Sequence, residues 1–170
     1  KIACIILASG YSSRFKMSKS KLMHNVFNIP IIEFTLTNVN KYFNKNSLYI
    51  TIPKNLKKKE INFLKNYSSN NLIYGGKTRF DSVKNAIFKI KGSYDYILIH
   101  DAARPTTPNK LFEELIHFTK NKKYDCILPS YQVEDTLRKN KTSLDRSSYF
   151  LYQTPQIFKF DIYKKAIKNA

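Results

Sequence analysis

Long apolar runs are missing: 42% of the residues are hydrophobic, yet no stretch approaches the ~20 consecutive apolar residues that a membrane-spanning helix needs. Cysteine is scarce as well. Cys4 and Cys126 are too few and too far apart for a metal motif or a disulfide framework. Both fall in apolar, strand-like runs, which predicts buried thiols in a reducing compartment. Arginine is rare among many cations. The chain carries 30 Lys and Arg against 12 Asp and Glu, a net charge of +18, but only Arg14, Arg79, Arg104, Arg138 and Arg146 are arginine. A charge of that size attracts phosphate. Lysine and asparagine, however, crowd together throughout, as in Lys120-Asn121-Lys122-Lys123. That pattern fits A/T-rich codon bias spread over solvated faces, so no nucleic-acid partner is expected, while the positive field suits an anionic nucleotide. Also absent are P-loop spacing, a G-x-G-x-x-G run, an internal repeat, a low-complexity linker and a targeting segment. The 170 residues suit one domain. The expected setting is the cytoplasm, or a plastid if a transit peptide once preceded Lys1.

What is present is an alternation of short apolar runs and helical periods. Ala3–Ala8 reads as a strand buried on both faces. Pro30 opens an amphipathic stretch through Ile31, Phe34, Leu36, Val39 and Phe43, with proline at a natural first-turn position. Strands follow at Ser47–Ile52, Asn71–Tyr74, Tyr94–His100 and Tyr124–Pro129, and helices at Lys57–Tyr67, Phe80–Ile90 and Pro108–Lys120. This order predicts an α/β, Rossmann-like, mostly parallel sheet with helices on both faces. Residues 131–156 have no helical period and predict an extended β-arm, followed by a last helix near Asp161–Asn169.

In parallel sheets ligands collect at the carboxyl ends of the strands, and polar chemistry stands at those places here. After the first strand come Ala8-Ser9-Gly10, then Arg14 and Lys21. Small residues let the backbone approach a triphosphate, and the two cations supply charge where phosphoryl transfer builds it. After Tyr74 come Gly75-Gly76-Lys77-Thr78-Arg79-Phe80-Asp81-Ser82, a turn with Ser82 at a helix start, able to cap or to bond a base edge. After Ile99 comes His100-Asp101-Ala102-Ala103-Arg104-Pro105. Asp101 is placed to hold Mg²⁺, Arg104 offers a fork for phosphate, and His100 reads as packing or loop support. Asp135-Thr136, Asp145-Arg146 and Gln153-Thr154-Pro155-Gln156 gain meaning from their order.

In that order the segments resemble the methylerythritol-phosphate cytidylyltransferase family, across essentially the whole chain. The most specific are His-Asp-Ala-Ala-Arg-Pro and Thr-Pro-Gln. The resemblance implies cytidylyl transfer from CTP to 2-C-methyl-D-erythritol 4-phosphate with loss of pyrophosphate, without a covalent enzyme intermediate, in a homodimer joined through the β-arm. It implies that Arg14 and Lys21 stabilise the transition state at the α-phosphate. Ala8, Ser9, Gly10, Gly76, Arg79, Ser82 and Ala102 would hold the nucleotide, and Asp101 would ligate Mg²⁺. Arg104, with Thr136 of the partner subunit and Arg146 of the partner subunit, would grip the acceptor phosphate.

Three departures from the family pattern stand in this sequence. Ser12 replaces a usual glycine, and Ser20 replaces the proline before Lys21, with Lys16 and Lys19 nearby. The family's C-terminal segment, with a further lysine and a second acidic ligand, lies beyond Ala170, so residues 1–170 alone are expected to have weak or no activity. The alternatives are the same chemistry on ribitol 5-phosphate, which similar motifs serve, and a non-catalytic basic module that binds nucleic acid.

Overall fold

The structure, a computed structural model, describes residues 1–10 and 21–170. In chain order these form β1 (Ile2–Leu7), the hairpin β2 (Asn25–Val26) and β3 (Ile29–Pro30), α1 (Ile31–Val39), β4 (Leu48–Ile52), α2 (Lys58–Ser68) and β5 (Leu72–Tyr74). Next come α3 (Arg79–Lys89), β6 (Tyr96–Asp101), α4 (Asn109–Thr119), β7 (Cys126–Ile127), β8 (Ser130–Gln132), β9 (Arg138–Lys139), β10 (Thr142–Ser143), β11 (Phe150–Tyr152), β12 (Gln156–Lys159) and α5 (Phe160–Asn169).

The main sheet runs β5-β4-β1-β6-β12-β7. The first four strands are parallel to one another, and β12 is antiparallel to both β6 and β7. The period of two along the buried strands splits the core. Cys4, Ile6, Leu48, Ile50 and Leu98 face α1, α2 and α4 through Leu36, Leu64 and Phe112. Ala3, Ile5, Tyr49, Ile97 and Ile99 face α3 and α5 through Val83, Ile87, Phe160 and Ile167. The expected mostly parallel sheet with helices on both faces is the one found.

Several boundaries differ from the sequence reading. The first helix stops at Val39, with Asn40 as its C-cap, and Phe43 packs from the turn that follows. Only Cys126–Ile127 pairs out of the expected 124–129 strand. Since β7 is the sheet's outer strand, Cys126 is exposed rather than buried, while Cys4 is fully buried. Gln156 belongs to β12 in the sheet, so the arm ends before it. Within the arm β8 pairs with β11, and β9 with β10. Among the described residues no helix is long and apolar enough to cross a membrane.

Candidate active site

From β1 the chain passes to β4 and β5 on one side, then returns to β6 on the other side of β1. Connections leaving β1 and β6 therefore diverge, and a crevice opens at their carboxyl ends. The register sets three residues in one row there: Leu7 pairs with both Thr51 and Asp101. The Ala102 N–H donates to Leu7 C=O at 3.0 Å, and Thr35 Oγ1 on α1 donates to Ala102 C=O at 2.9 Å. Ala102 is fully buried and its backbone fixed.

On one wall, the exit of β1 is sewn to the exits of β4 and β5. Ser9 Oγ donates to Ser82 Oγ at 2.9 Å. Ser82 Oγ in turn donates to Thr78 C=O at 2.9 Å and accepts the Gly76 N–H at 3.1 Å. Ser9 Oγ also lies 3.1 Å from Thr51 Oγ1. The Ser9 proton is already committed to Ser82, so Thr51 is the donor in that pair. Both glycines are sterically required. A Cβ on Gly75 would stand 2.1 Å from Ser9 Oγ, and one on Gly76 would stand 2.1 Å from Asp81 Cβ. Ser82, offered by the sequence as a cap or base contact, spends its proton and lone pairs inside the turn. The N-cap of α3 is Thr78, which accepts the Asp81 N–H at 3.0 Å.

On the other wall, Asp101 sits between two guanidinium groups: Arg79 Nε lies 3.4 Å from Oδ1 and Arg104 Nε lies 3.7 Å from Oδ2. Arg104 Nη1 donates to Gln153 Oε1 at 3.2 Å. His100 beneath is buried, and that burial pushes its imidazole down to about 4, so it is neutral near pH 7. Its tautomer follows from its neighbours. Thr107 Oγ1 donates to Arg104 C=O at 3.1 Å and has no second proton, so His100 Nε2 is the N–H that donates to Thr107. Nδ1 then accepts from Thr154 Oγ1 at 3.1 Å, and that same oxygen accepts the Asp101 N–H at 3.3 Å. The Thr-Pro-Gln segment thus clasps the turn that carries Asp101 and Arg104.

The structure brings together Ala8, Ser9, Gly76, Arg79, Ser82, Asp101, Ala102 and Arg104, with Gly10 exposed at the rim. Arg14 lies outside the described residues. Lys21 opens a three-residue 3-10 turn after them. Thr136 and Arg146 lie on the arm, both exposed; Arg146 Nη1 donates to Glu134 C=O, and among the described residues neither side chain bonds to the Asp101 cluster. Thr51 and Thr107 were not singled out from sequence, and Gly75 and Gln153 entered only as members of their motifs, with no role of their own. A hydroxyl in the buried run Leu48-Tyr49-Ile50-Thr51-Ile52 was the available signal for Thr51.

The fold is a mostly parallel α/β sheet, and the glycine turn beside a strand-end carboxylate flanked by arginines stands at its switch point, where such sheets bind ligands. Residues 2–170 match the family described as 2-C-methyl-D-erythritol 4-phosphate cytidylyltransferase, and the chain belongs to that family. It is 35% identical to the enzyme of that name from Dictyoglomus thermophilum, over 100% of this chain and 77% of that protein. It is 36% identical to the bifunctional enzyme IspD/IspF of Pelagibacter ubique, over 92% of this chain and 42% of that protein. Among solved structures, the bifunctional IspDF from Campylobacter jejuni superposes with a TM-score of 0.82 at 30% identity, covering 100% of this chain and 44% of that one.

Proposed function

We propose that this crevice binds CTP and transfers its cytidylyl group to 2-C-methyl-D-erythritol 4-phosphate, releasing pyrophosphate. The observation that carries the reading is the placement of Asp101, Arg79 and Arg104 beside the Gly75-Gly76 turn at the switch point of the sheet. The acceptor phosphate attacks the α-phosphorus and the bond to pyrophosphate breaks, so the protein's task is positioning and charge stabilisation. Gly10 and the Gly75-Gly76 turn line the approach of the nucleotide. Arg104, oriented by Gln153, offers its fork to the acceptor phosphate. Arg14 and Lys21 are assigned to the charge that builds at the α-phosphate.

Asp101 is the residue assigned to Mg²⁺. A single carboxylate at the mouth of the crevice fits a cation that takes one or two carboxylates and completes its shell with substrate phosphates and water. When bound, the cation supplies charge neutralisation on the triphosphate. Arg79 and Arg104, on either side of that carboxylate, would offer their guanidinium groups to the phosphate oxygens.

Thr136 and Arg146 enter the site in this reading only from a second copy. Exposed Tyr131, Phe150, Leu151 and Tyr152 on the arm supply apolar surface for a homodimer. A CTP-supplying, reducing cytoplasm is the matching compartment. The decisive experiment is thermal shift with CTP or ATP, each with Mg²⁺, followed by turnover with methylerythritol phosphate or ribitol phosphate. CTP-selective stabilisation and preference for methylerythritol phosphate are expected. Equal shifts with every nucleotide and with heparin would overturn the cytidine site, and a ribitol-phosphate preference would overturn the acceptor.

A further inference from the structure

We propose that Thr51, outside every recognised motif, is a positioning residue that sets the geometry of the nucleotide wall. The proposal rests on the reading of that wall as a CTP site. All five residues of β4 are buried, and valine would fill the place of Thr51 with nearly the same shape. A fully buried hydroxyl is costly unless bonded, and this one is fully used. Thr51 Oγ1 accepts the Ala8 N–H at 3.2 Å and gives its proton to Ser9 Oγ at 3.1 Å.

The result is a one-way chain of hydroxyls: Thr51 to Ser9, Ser9 to Ser82 at 2.9 Å, and Ser82 to Thr78 C=O at 2.9 Å. Backbone N–H groups of Ala8 and Gly76 feed into it at either end. It ties the exits of β1, β4 and β5 to the first turn of α3. The polarity is fixed at Thr78, whose C=O can only accept: Ser82 gives it its proton, so Ser82 accepts from Ser9 and Ser9 accepts from Thr51. Removing the Thr51 hydroxyl leaves Ser9 Oγ without a donor and held from one side only, by its bond to Ser82. The Ala8 N–H still reaches Thr51 C=O at 3.1 Å, so the strand pairing itself survives. Gly75, with no space between it and Ser9, then loses the surface against which its turn is registered.

Thr51 touches no reacting atom, so its removal shifts nucleotide binding rather than the chemical step. In the complete protein, Thr51→Val is expected to raise both the Kd and the KM for CTP by about 5- to 10-fold, the scale of one buried hydroxyl left without its donor, while kcat changes by less than about twofold. Thr51→Ser keeps the hydroxyl and should bind CTP like wild type even where its Tm falls. Because both residues act through one chain, adding Thr51→Val to Ser82→Ala should raise Kd no further than Ser82→Ala alone. Calorimetric titration of CTP with Mg²⁺ and steady-state kinetics on the folded variants test this. If wild type binds CTP and Thr51→Val binds equally well, or if Thr51→Ser loses affinity as Thr51→Val does, the positioning role is overturned. If wild type itself fails to bind CTP, the underlying nucleotide reading falls, and that outcome is distinguished without any variant.

Discussion

Gly75 and Gly76 are held by contact, not by an unusual backbone: neither has a positive φ, and both would drive a Cβ into a neighbour at 2.1 Å. Overpacking of that kind typically costs about 1–3 kcal/mol. Gly75→Ala and Gly76→Ala should therefore weaken CTP binding at least about tenfold through displacement of Ser9 or Asp81. Gly10→Ala, with nothing within 4 Å of the added carbon, is the isotherm against which to compare them. Asp81 makes a pH prediction. Hydrogen bonds from the Thr78 side chain and then its backbone hold the Asp81 carboxyl below its ordinary 3.8. A carboxyl lowered on folding contributes stability above its unfolded value and loses it as pH falls through the folded one. Urea unfolding should accordingly show a stability gap between wild type and Asp81→Asn that is full at neutral pH and closes as pH drops below 3.8. Asp101, Arg104, Gly76 and Arg79 were legible because each is polar or flexible directly after an apolar strand. Thr51 was not, because one hydroxyl inside a five-residue buried run reads as a strand residue until its neighbours are known.

At the scale of elements, the parallel strands and their helices were legible because β1, β4 and β6 are apolar on both faces and the helices carry one buried stripe. The β2–β3 hairpin was not, since each strand has two residues and shows no period. Its tip is unusual. Phe27 has φ 51° and Asn28 has φ 64°, and Phe27 is 91% exposed. Asparagine tolerates that region, whereas a left-handed backbone costs phenylalanine about 1–2 kcal/mol with no burial in return. Phe27→Gly should therefore stabilise the protein by about 1 kcal/mol in urea unfolding, against the usual direction for glycine substitutions. The strand β12 was also missed. Its four residues run antiparallel to β6, and the sequence reading ends the arm at Gln156 and assigns residues 157–159 to no element.

For the whole molecule, the two cores on either side of the sheet predict where stability resides. Phe112 is fully buried, stacked on Tyr42 and edge-on to His100. Phe112→Ala should cost about 3–5 kcal/mol in urea unfolding, consistent with its place under the Asp101 turn. In the proposed homodimer, assembly depends on the arm. Leu151→Glu, which puts a charge into the exposed aromatic patch without touching the sheet, should convert a dimer to monomers in sedimentation velocity and reduce turnover with CTP binding retained. The strand pairing within the arm was not legible, because its exposed side chains have no core to set a period. The position of β12 also imposes a timetable on synthesis. It lies between β6 and β7, and β7 touches the sheet only through it. A ribosome that has delivered the four parallel strands must still deliver the entire arm before the open edge of β6 is covered and β7 has anywhere to dock. Until Lys159 clears the exit tunnel, the nascent sheet presents Ile97 and Ile99 along an unpaired edge, which is the interval in which a chaperone would be needed.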